Sequence, residues 1–493
     1  MLADRRTKIV ATIGPAVQGR ENLKKAIAAG MNVARLNFSH GTHVDHLAVI
    51  KDLRALSSEL NAPLTVLQDL QGPKIRVGRF ENGSIEISEG EKVVVTIRDV
   101  LGRKGLIPSD FKALPKSCQP GGRIMFDDGL FELRVDTVET EDIHCTVVYG
   151  GILKDRKGMN VPGGELSVEC LTPKDLVDLE WGLDNNVDYI ALSFVRRGDD
   201  IRRLRELIQA RGSQARIVAK IEMLEAIDNL EEIVRLSDAV MVARGDLAVE
   251  VGQTRLPQIQ KQIVSLCNTI GRPVITATQM LDSMTANPRP TRAEITDVAN
   301  AVLDGSDALM LSAESASGKF PFRAIRTMHD IILEVEKNGD YFYDMRMDAQ
   351  FSSVADGIGA ASALTAMKLN ATAIVCLTTS GKTATIISGF RPKARIIAVT
   401  HIVPTLNRIE LVWGIQTLQI DPYDSSDEAM KQIEEMLLQY GLVKPGDKVI
   451  LTLGVPVLER GTTNALRVYT IAREDVRRLS ESELPLRCRL PSA

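Results

Sequence analysis

Apolar and polar positions along this chain fall into three rhythms. In the first, short runs rich in Val, Ile and Leu recur with helix-spaced segments between them, at 8–13, 32–38, 64–70, 189–194, 217–222, 239–244, 273–279 and 308–314. Near-continuous apolar strands alternating with helices predict parallel strands covered on both faces. Eight such units favour a TIM-type (β/α)8 barrel over a doubly wound sheet. Between the third and fourth runs, roughly 73–171, the pattern changes to strict alternation in SIEIS, KVVVTI, GRIMFDDGLFELRVDTV and DIHCTVVYGG, the mark of an inserted all-β domain. Asp128-Gly129 between two strand-like runs is a hairpin signal, and Pro73 and Pro162-Gly163-Gly164 are hinge candidates at its necks. An insertion from a barrel's C-terminal loop lies over the active face, so a lid is expected. The third rhythm begins near 345: a helix near 353–368, then AIVCLT, RIIAVT, GIQTLQI, DKVILTLG and ALRVYTIAR as strands of a separate α/β domain. The expected division is 1–72 and 172–344 for the barrel, 73–171 for the lid and 345–493 for the C-terminal domain, with the aperiodic tail PLRCRLPSA loosely held.

In a barrel the C-terminal ends of the strands converge on one pocket, and here those ends are polar. Strand two ends in Arg35, Asn37, Ser39 and His40, strand three in Asp69, strand five in Lys220 and Glu222, and strand six in Arg244, Gly245 and Asp246. Strand seven ends in Thr276, Thr278 and Gln279, and strand eight in Ser312 and Glu314. Charged residues are rarely buried unless paired. Glu222 and Asp246 suit a shared hard cation, because one or two carboxylates completed by water and substrate phosphate are what magnesium prefers. Two structural salt bridges are the bland alternative for either strand alone. A lysine, an arginine, a two-carboxylate metal site and hydroxyl donors suit a phosphorylated carboxylate substrate, since phosphoryl transfer needs positioning and charge neutralisation more than covalent chemistry.

Composition narrows the picture by exclusion. The 493 residues allow about three domains at roughly 150 residues each. A 44% hydrophobic fraction, 25% charged residues and a net charge of -4 give no pull toward nucleic acid or anionic membrane. Six scattered cysteines without a CxxC pair argue against a zinc site or a disulfide framework. With no apolar signal core and no run of 18 apolar residues, a cytoplasmic protein that spans no membrane is expected.

The motifs ARLNFSHG (34–41), DLQGPKIR (69–76), KGMNVPG (157–163), IVAKIE (217–222), MVARGDL (241–247), TATQML (276–281), NPRPTRAEITDVANAV (287–302) and LMLSAES (309–315) closely resemble the pyruvate kinase family, over about residues 5–473. The resemblance implies transfer of phosphate from phosphoenolpyruvate to ADP, giving pyruvate and ATP. Glu222 and Asp246 are then Mg2+ ligands, with Mn2+ able to substitute, and Lys220 stabilises the phosphoryl group in flight and the enolate. Arg35 contacts the substrate phosphate. The amides of Gly245 and Asp246, with Thr278, hold the substrate carboxylate at a helix start. Asn37, Phe38, Ser39, His40, Arg76 and Lys157 match nucleotide-side positions, the last two brought in by the lid. Enolpyruvate must be protonated at carbon, and Thr278 or Ser312 with an ordered water are the alternatives. Loop TTSGKTA (378–384) follows a strand and opens a helix, but Cys376 stands where a Walker A glycine would have to be. The family binds a phosphorylated activator there, which carries over to Thr378, Ser380, Lys382 and Thr383. The resemblance also implies a homotetramer.

Several positions depart from the family pattern. The potassium-binding oxygens Asn37, Ser39 and Asp69 are kept, but Leu70 stands where a threonine would be, Gln71 where a lysine is common, and Lys74 in place of a glutamate. A fixed ammonium at 74 implies that K+ is not required, as in the family's Lys-bearing branch, whose activators lean toward sugar monophosphates or AMP. Met223 replaces a polar residue after Glu222, and Ala248 a glycine; alanine is strained there if φ is positive and neutral or helpful if the position is helical. Two rivals remain open: a magnesium-dependent pyruvate-enolate lyase, which leaves Arg76 and Lys157 unexplained, and a non-catalytic phosphoenolpyruvate sensor in which Met223 and Ala248 mark decay. His40, His43 and His46 are spaced three apart, but 43 and 46 are expected on the exposed first turn of a helix rather than at a metal.

Overall fold

Strands buried on both faces need branched apolar side chains at nearly every position, and the eight expected runs supply them. The computed structural model describes residues 5–127, 129–164, 169–337, 353–456, 463–473, 475–480 and 483–484. Its barrel strands are β1 (Lys8–Thr12), β2 (Val33–Asn37), β3 (Thr65–Asp69), β4 (Tyr189–Leu192), β5 (Arg216–Ile221), β6 (Ala239–Ala243), β7 (Val274–Ala277) and β8 (Ala308–Leu311). All pair in parallel, and β1 closes the barrel by pairing with both β2 and β8. Alternate residues such as Val10, Val33, Leu67, Val218, Met241 and Ile275 fill the interior. Their neighbours Ile9, Leu36, Val66, Ile217 and Val240 pack outward against the helices.

Between β3 and β4 the chain leaves to build the lid, whose six-stranded sheet has its own core around Val95, Ile107, Ile124, Phe126 and Leu133. The strands Arg123–Phe126 and Phe131–Val138 pair as the expected hairpin. Gly129 takes φ +86° in its turn, and Asp128 lies outside the described residues. At the first neck Gly72 has φ +69°, and a Cβ there would come within 2.8 Å of Phe194 Cδ2 and 3.0 Å of Ser193 Cβ. Glycine is thus required twice over, by backbone and by space, where the lid departs along the end of β4.

The C-terminal domain is a five-stranded sheet of β9 (Ala373–Leu377), β10 (Arg395–Thr400), β11 (Ile415–Gln419), β12 (Lys448–Leu453) and β13 (Ala465–Thr470), in the order β11-β10-β9-β12-β13. The expected boundary near 345 and the tail at 485–493 lie outside the described residues. This domain seals the N-terminal end of the barrel. Leu411 enters the interior cluster of the barrel. Lys8 Nζ donates to the Ile415 carbonyl at 2.6 Å, and Asn32 Nδ2 to Glu410 at 2.8 Å. Arg391 pairs with Asp307 at 3.2 Å, both buried, with its guanidinium 4.6 Å from the centre of the Trp413 ring. Among the described residues no helix is long and apolar enough to cross a membrane.

One expectation about the surface fails. The helix His43–Glu59 starts with a capping box between Thr42 and Asp45, but His46 on its first turn is buried and stacks on Phe38 with ring centroids 4.3 Å apart. Phe38 itself is turned into this aromatic group beside Trp181, away from solvent. Apolar contact of an imidazole with two aromatic rings outweighs its solvation, and the burial lowers the His46 pKa. His43 meets Asp178 at 2.7 Å, and His46 Nε2 lies 3.0 Å from the His40 carbonyl.

Candidate active site

Each barrel strand stops where its apolar run meets a polar residue, and the strand ends form one charged cluster. Asp69 is wholly buried at the end of β3. It receives Arg35 Nε from β2 at 2.6 Å and lies 3.2 Å from Lys220 Nζ of β5. Lys220 Nζ also meets Glu222 Oε1 at 2.9 Å and donates to Ser193 Oγ, just past β4, at 2.7 Å. Glu222 takes a further hydrogen bond from the Phe194 amide at 2.8 Å. Arg35 also donates to Thr12 Oγ1, at the end of β1, at 2.9 Å.

Electrostatics follow from this packing. Burial alone raises the pKa of Asp69, but the Lys220 ammonium and the Arg35 guanidinium outweigh it and hold the carboxyl below its ordinary range. Burial alone would discharge Lys220, yet Asp69 and Glu222 keep the ammonium charged far beyond neutral pH. Glu222 is pushed up by burial and by nearby Asp246, against the pull of Lys220. Two cations thus face two buried carboxylates, and Asp246 has no ion pair among the described residues. Glu222, raised in part by the neighbouring Asp246 charge, forms with it a pair of hard carboxylates that fits a divalent cation, which removes their repulsion. Among the described residues no group of three or more His, Cys, Asp or Glu is placed to hold a metal ion.

The helix Arg244–Val251 begins where β6 ends, so the first amides of the helix point into the mouth. The Gly245 amide donates to Thr278 Oγ1 at 2.9 Å. Thr278 has φ +70° and Gln279 φ +52°, a left-handed pair in which a β-branched threonine is strained. Arg244, at the same strand end, is held by protein groups. It binds Asp297 at 2.8 Å and the carbonyls of Ala277 and Thr278, fixing the bend that strains Thr278. Glu314 ties strand ends together, accepting from Leu281 at 3.1 Å and Ser312 at 2.7 Å. Ala248 is helical and therefore unstrained, and Met223 is a buried cap position that adds dryness beside Glu222.

On the lid, Arg76 and Gly158 form an antiparallel bridge that sets Arg76 beside Lys157. Arg76 donates to the Arg156 carbonyl at 3.1 Å, and Lys157 pairs with Asp127 at 2.8 Å. Asn37 accepts from the Ser39 amide at 3.1 Å, His40 is exposed, and the buried ring of Phe38 is not available to a ligand. Lys74 does not sit on Asp69. A Cβ built on Gly158 would lie 3.2 Å from its Cε, so the side chain runs along the lid, while Asp69 is neutralised by Arg35 and Lys220. Leu70 is buried, and its carbonyl accepts from Ser193 Oγ at 2.8 Å. The strand-end reading passed over β1 and β4, which supply Thr12 and Ser193; the same rule applied to those two ends would have found both.

A lidded barrel whose mouth holds a charged lysine between carboxylates has the chemistry of a metal-assisted phosphotransferase. Models of the pyruvate kinase barrel domain and of the pyruvate kinase alpha/beta domain match residues 4–325 and 356–469. The chain is 44% identical over 473 residues to the pyruvate kinase of Geobacillus stearothermophilus, covering 95% of this chain and 81% of that one. It is 42% identical over 474 residues to that of Staphylococcus aureus strain MRSA252, with the same coverage. A crystal structure of a pyruvate kinase from Cryptosporidium parvum superposes with a TM-score of 0.91 at 35% identity, over 95% of this chain and 97% of that one. The chain belongs to the pyruvate kinase family. It is a phosphotransferase of glycolysis that acts on phosphoenolpyruvate and ADP.

Proposed function

We propose that this enzyme transfers the phosphoryl group with Mg2+ held by Glu222 and Asp246, without K+, and under control of a phosphorylated activator. The observation that carries the reading is Lys220, a buried ammonium kept charged by Asp69 and Glu222 and aimed by Ser193. Magnesium would neutralise charge on the phosphate and the enolate oxygen. The protein's own groups do the rest. Arg35 and Lys220 receive the phosphoryl oxygens, and Lys220 then faces the enolate. The Gly245 and Asp246 amides with Thr278 take the substrate carboxylate, which replaces the Thr278 hydroxyl as acceptor for the Gly245 amide. Thr278 or Ser312, through water, delivers the proton to carbon. Asn37, Ser39, His40 and, from the closing lid, Arg76 and Lys157 bind the nucleotide, with Phe38 contributing through its backbone.

In the C-terminal domain, Thr378, Ser380, Lys382 and Thr383 border a cavity of about 380 Å³. Among the described residues its lining holds one lysine, Lys382, which suits one phosphate and supports a sugar monophosphate or AMP as activator. Domain limits at 73, 171 and 345, a homotetramer and a cytoplasmic location belong to the same reading. A coupled assay with phosphoenolpyruvate, ADP and magnesium, run with sugar monophosphates and AMP, tests it. Absence of ATP formation by folded protein would instead favour the sensor.

A further inference from the structure

The loop between β9 and the helix Lys382–Gly389 is held from behind by its own carbonyls. The Thr379 carbonyl accepts from Thr405 Oγ1 at 2.8 Å, and the Ser380 carbonyl from Arg216 Nη2 at 3.0 Å. A trans peptide is planar, so its C=O and the following N–H point in opposite directions. Pinning these two carbonyls therefore turns the amides of Ser380 and Gly381 to the other side of the loop. The Gly381 amide there donates to Thr378 Oγ1 at 2.9 Å, a side chain that lines the cavity. Gly381 has φ +79°, and a Cβ at this position would collide with Ile409, so the loop cannot relax backwards. Successive amides turned to one side around a left-handed residue form an anion nest.

Thr405 and Ile409 belong to the C-terminal domain, but Arg216 does not. It is the first residue of β5, the strand that ends in Lys220 and Glu222. Its guanidinium is braced by Tyr189 OH at 3.3 Å, which itself donates to the Arg408 carbonyl at 2.9 Å. At a strand rise of about 3.3 Å per residue, Arg216 and Lys220 are about 13 Å apart along one strand.

We propose that Arg216 is a positioning residue for the C-terminal anion site. The barrel's own arginine orients the Ser380–Gly381 peptide for a phosphomonoester and makes β5 the element on which the bound phosphate acts. This rests on the effector reading above and names how that site is built. An anion that takes the Gly381 amide polarises the carbonyl of the same peptide and strengthens its bond to Arg216. By linkage, what Arg216 contributes to effector affinity is available as a change at the active site.

Calorimetric titration and phosphoenolpyruvate saturation curves of the full-length enzyme test this, with glucose 6-phosphate, ribose 5-phosphate and AMP as probes. Loss of one charged donor predicts that Arg216→Met weakens the activating probe about tenfold and removes most of its effect on half-saturation. Arg216→Lys, which keeps one donor, should restore most of both. A merely structural role would shift thermal stability and leave the ratio of activated to resting half-saturation unchanged. An unchanged dissociation constant and an unchanged ratio in Arg216→Met overturn the inference while leaving the effector reading intact. If none of the three probes binds or activates the unmodified enzyme, both fall.

Discussion

At the barrel mouth one ammonium answers to three oxygens, from Asp69, Glu222 and Ser193. Lys220→Met removes the only one of the four cluster charges that touches both carboxylates, so the phosphoryl oxygens lose their mobile counter-charge and kcat should fall by roughly a thousandfold or more. Asp69 keeps Arg35, and Glu222 can take up a proton, so circular dichroism should be unchanged while the melting temperature drops a few degrees. Near-normal turnover would remove Lys220 from the mechanism. Glu250 makes a second test possible. It lies buried one turn beyond Asp246, and burial, reinforced by Asp246 and opposed by the amides of Gly163 and Leu224, pushes its carboxyl up to about 7. Between an ordinary carboxylate value and pH 7 the unfolded chain has lost this proton while the folded one holds it, so stability falls as pH rises through that window. At about 1.4 kcal/mol per pKa unit the loss is of order 3 kcal/mol. Glu250→Gln should melt with the wild type at pH 5 and above it at pH 8. Parallel melting curves across that range would show that Glu250 is not the group that titrates.

Elements explain why some of the site was legible and some was not. The barrel was readable because a strand buried on both faces must be apolar throughout, and the lid because its strands alternate. Arg35, Asp69, Lys220 and Glu222 stood out as charges abutting such runs. Ser193 and Thr12 did not, since one hydroxyl after an apolar run resembles any strand end, and their roles come from the partners that closure of the barrel brings up. The inward turn of Phe38 and His46 depends on Trp181, far away in sequence. The lid neck shows how an element sets a side chain. Gly72 packs on Ser193, the residue that aims Lys220. Gly72→Ala adds about 1 kcal/mol of left-handed strain and a methyl that must displace Ser193 or Phe194. Turnover should therefore fall more than stability does, about tenfold or more in kcat for a few degrees in melting temperature. A variant that loses stability but keeps full kcat would mean that the neck carries the lid without positioning Lys220.

Across the whole molecule, the C-terminal domain closes one end of the barrel and the inserted β domain stands at the other, so its charges join the balance at the mouth. Lys74 is on the lid side of that balance. Here it lies along Gly158 of the lid, and Asp69 is already neutralised by Arg35 and Lys220. In the mechanism proposed above, Arg35 and Lys220 turn to the phosphates when phosphoenolpyruvate, nucleotide and magnesium fill the mouth, and the role of Lys74 is to supply the positive charge that a potassium ion would otherwise bring. Leu70 offers no side-chain oxygen for such an ion. Steady-state rates should then agree within about twofold in sodium-only and potassium buffers, the difference left by screening alone. Lys74→Glu should lose activity in both, because it removes the charge while Leu70 still prevents ion binding. The double variant Leu70→Thr with Lys74→Glu should recover in potassium only, a non-additive result expected of neighbours that share one ligand. A rise of about a hundredfold when potassium is added to the unmodified enzyme, equivalent to nearly 3 kcal/mol of barrel-mouth stabilisation, would show that an ion binds despite Leu70 and that Lys74 is only a lid contact.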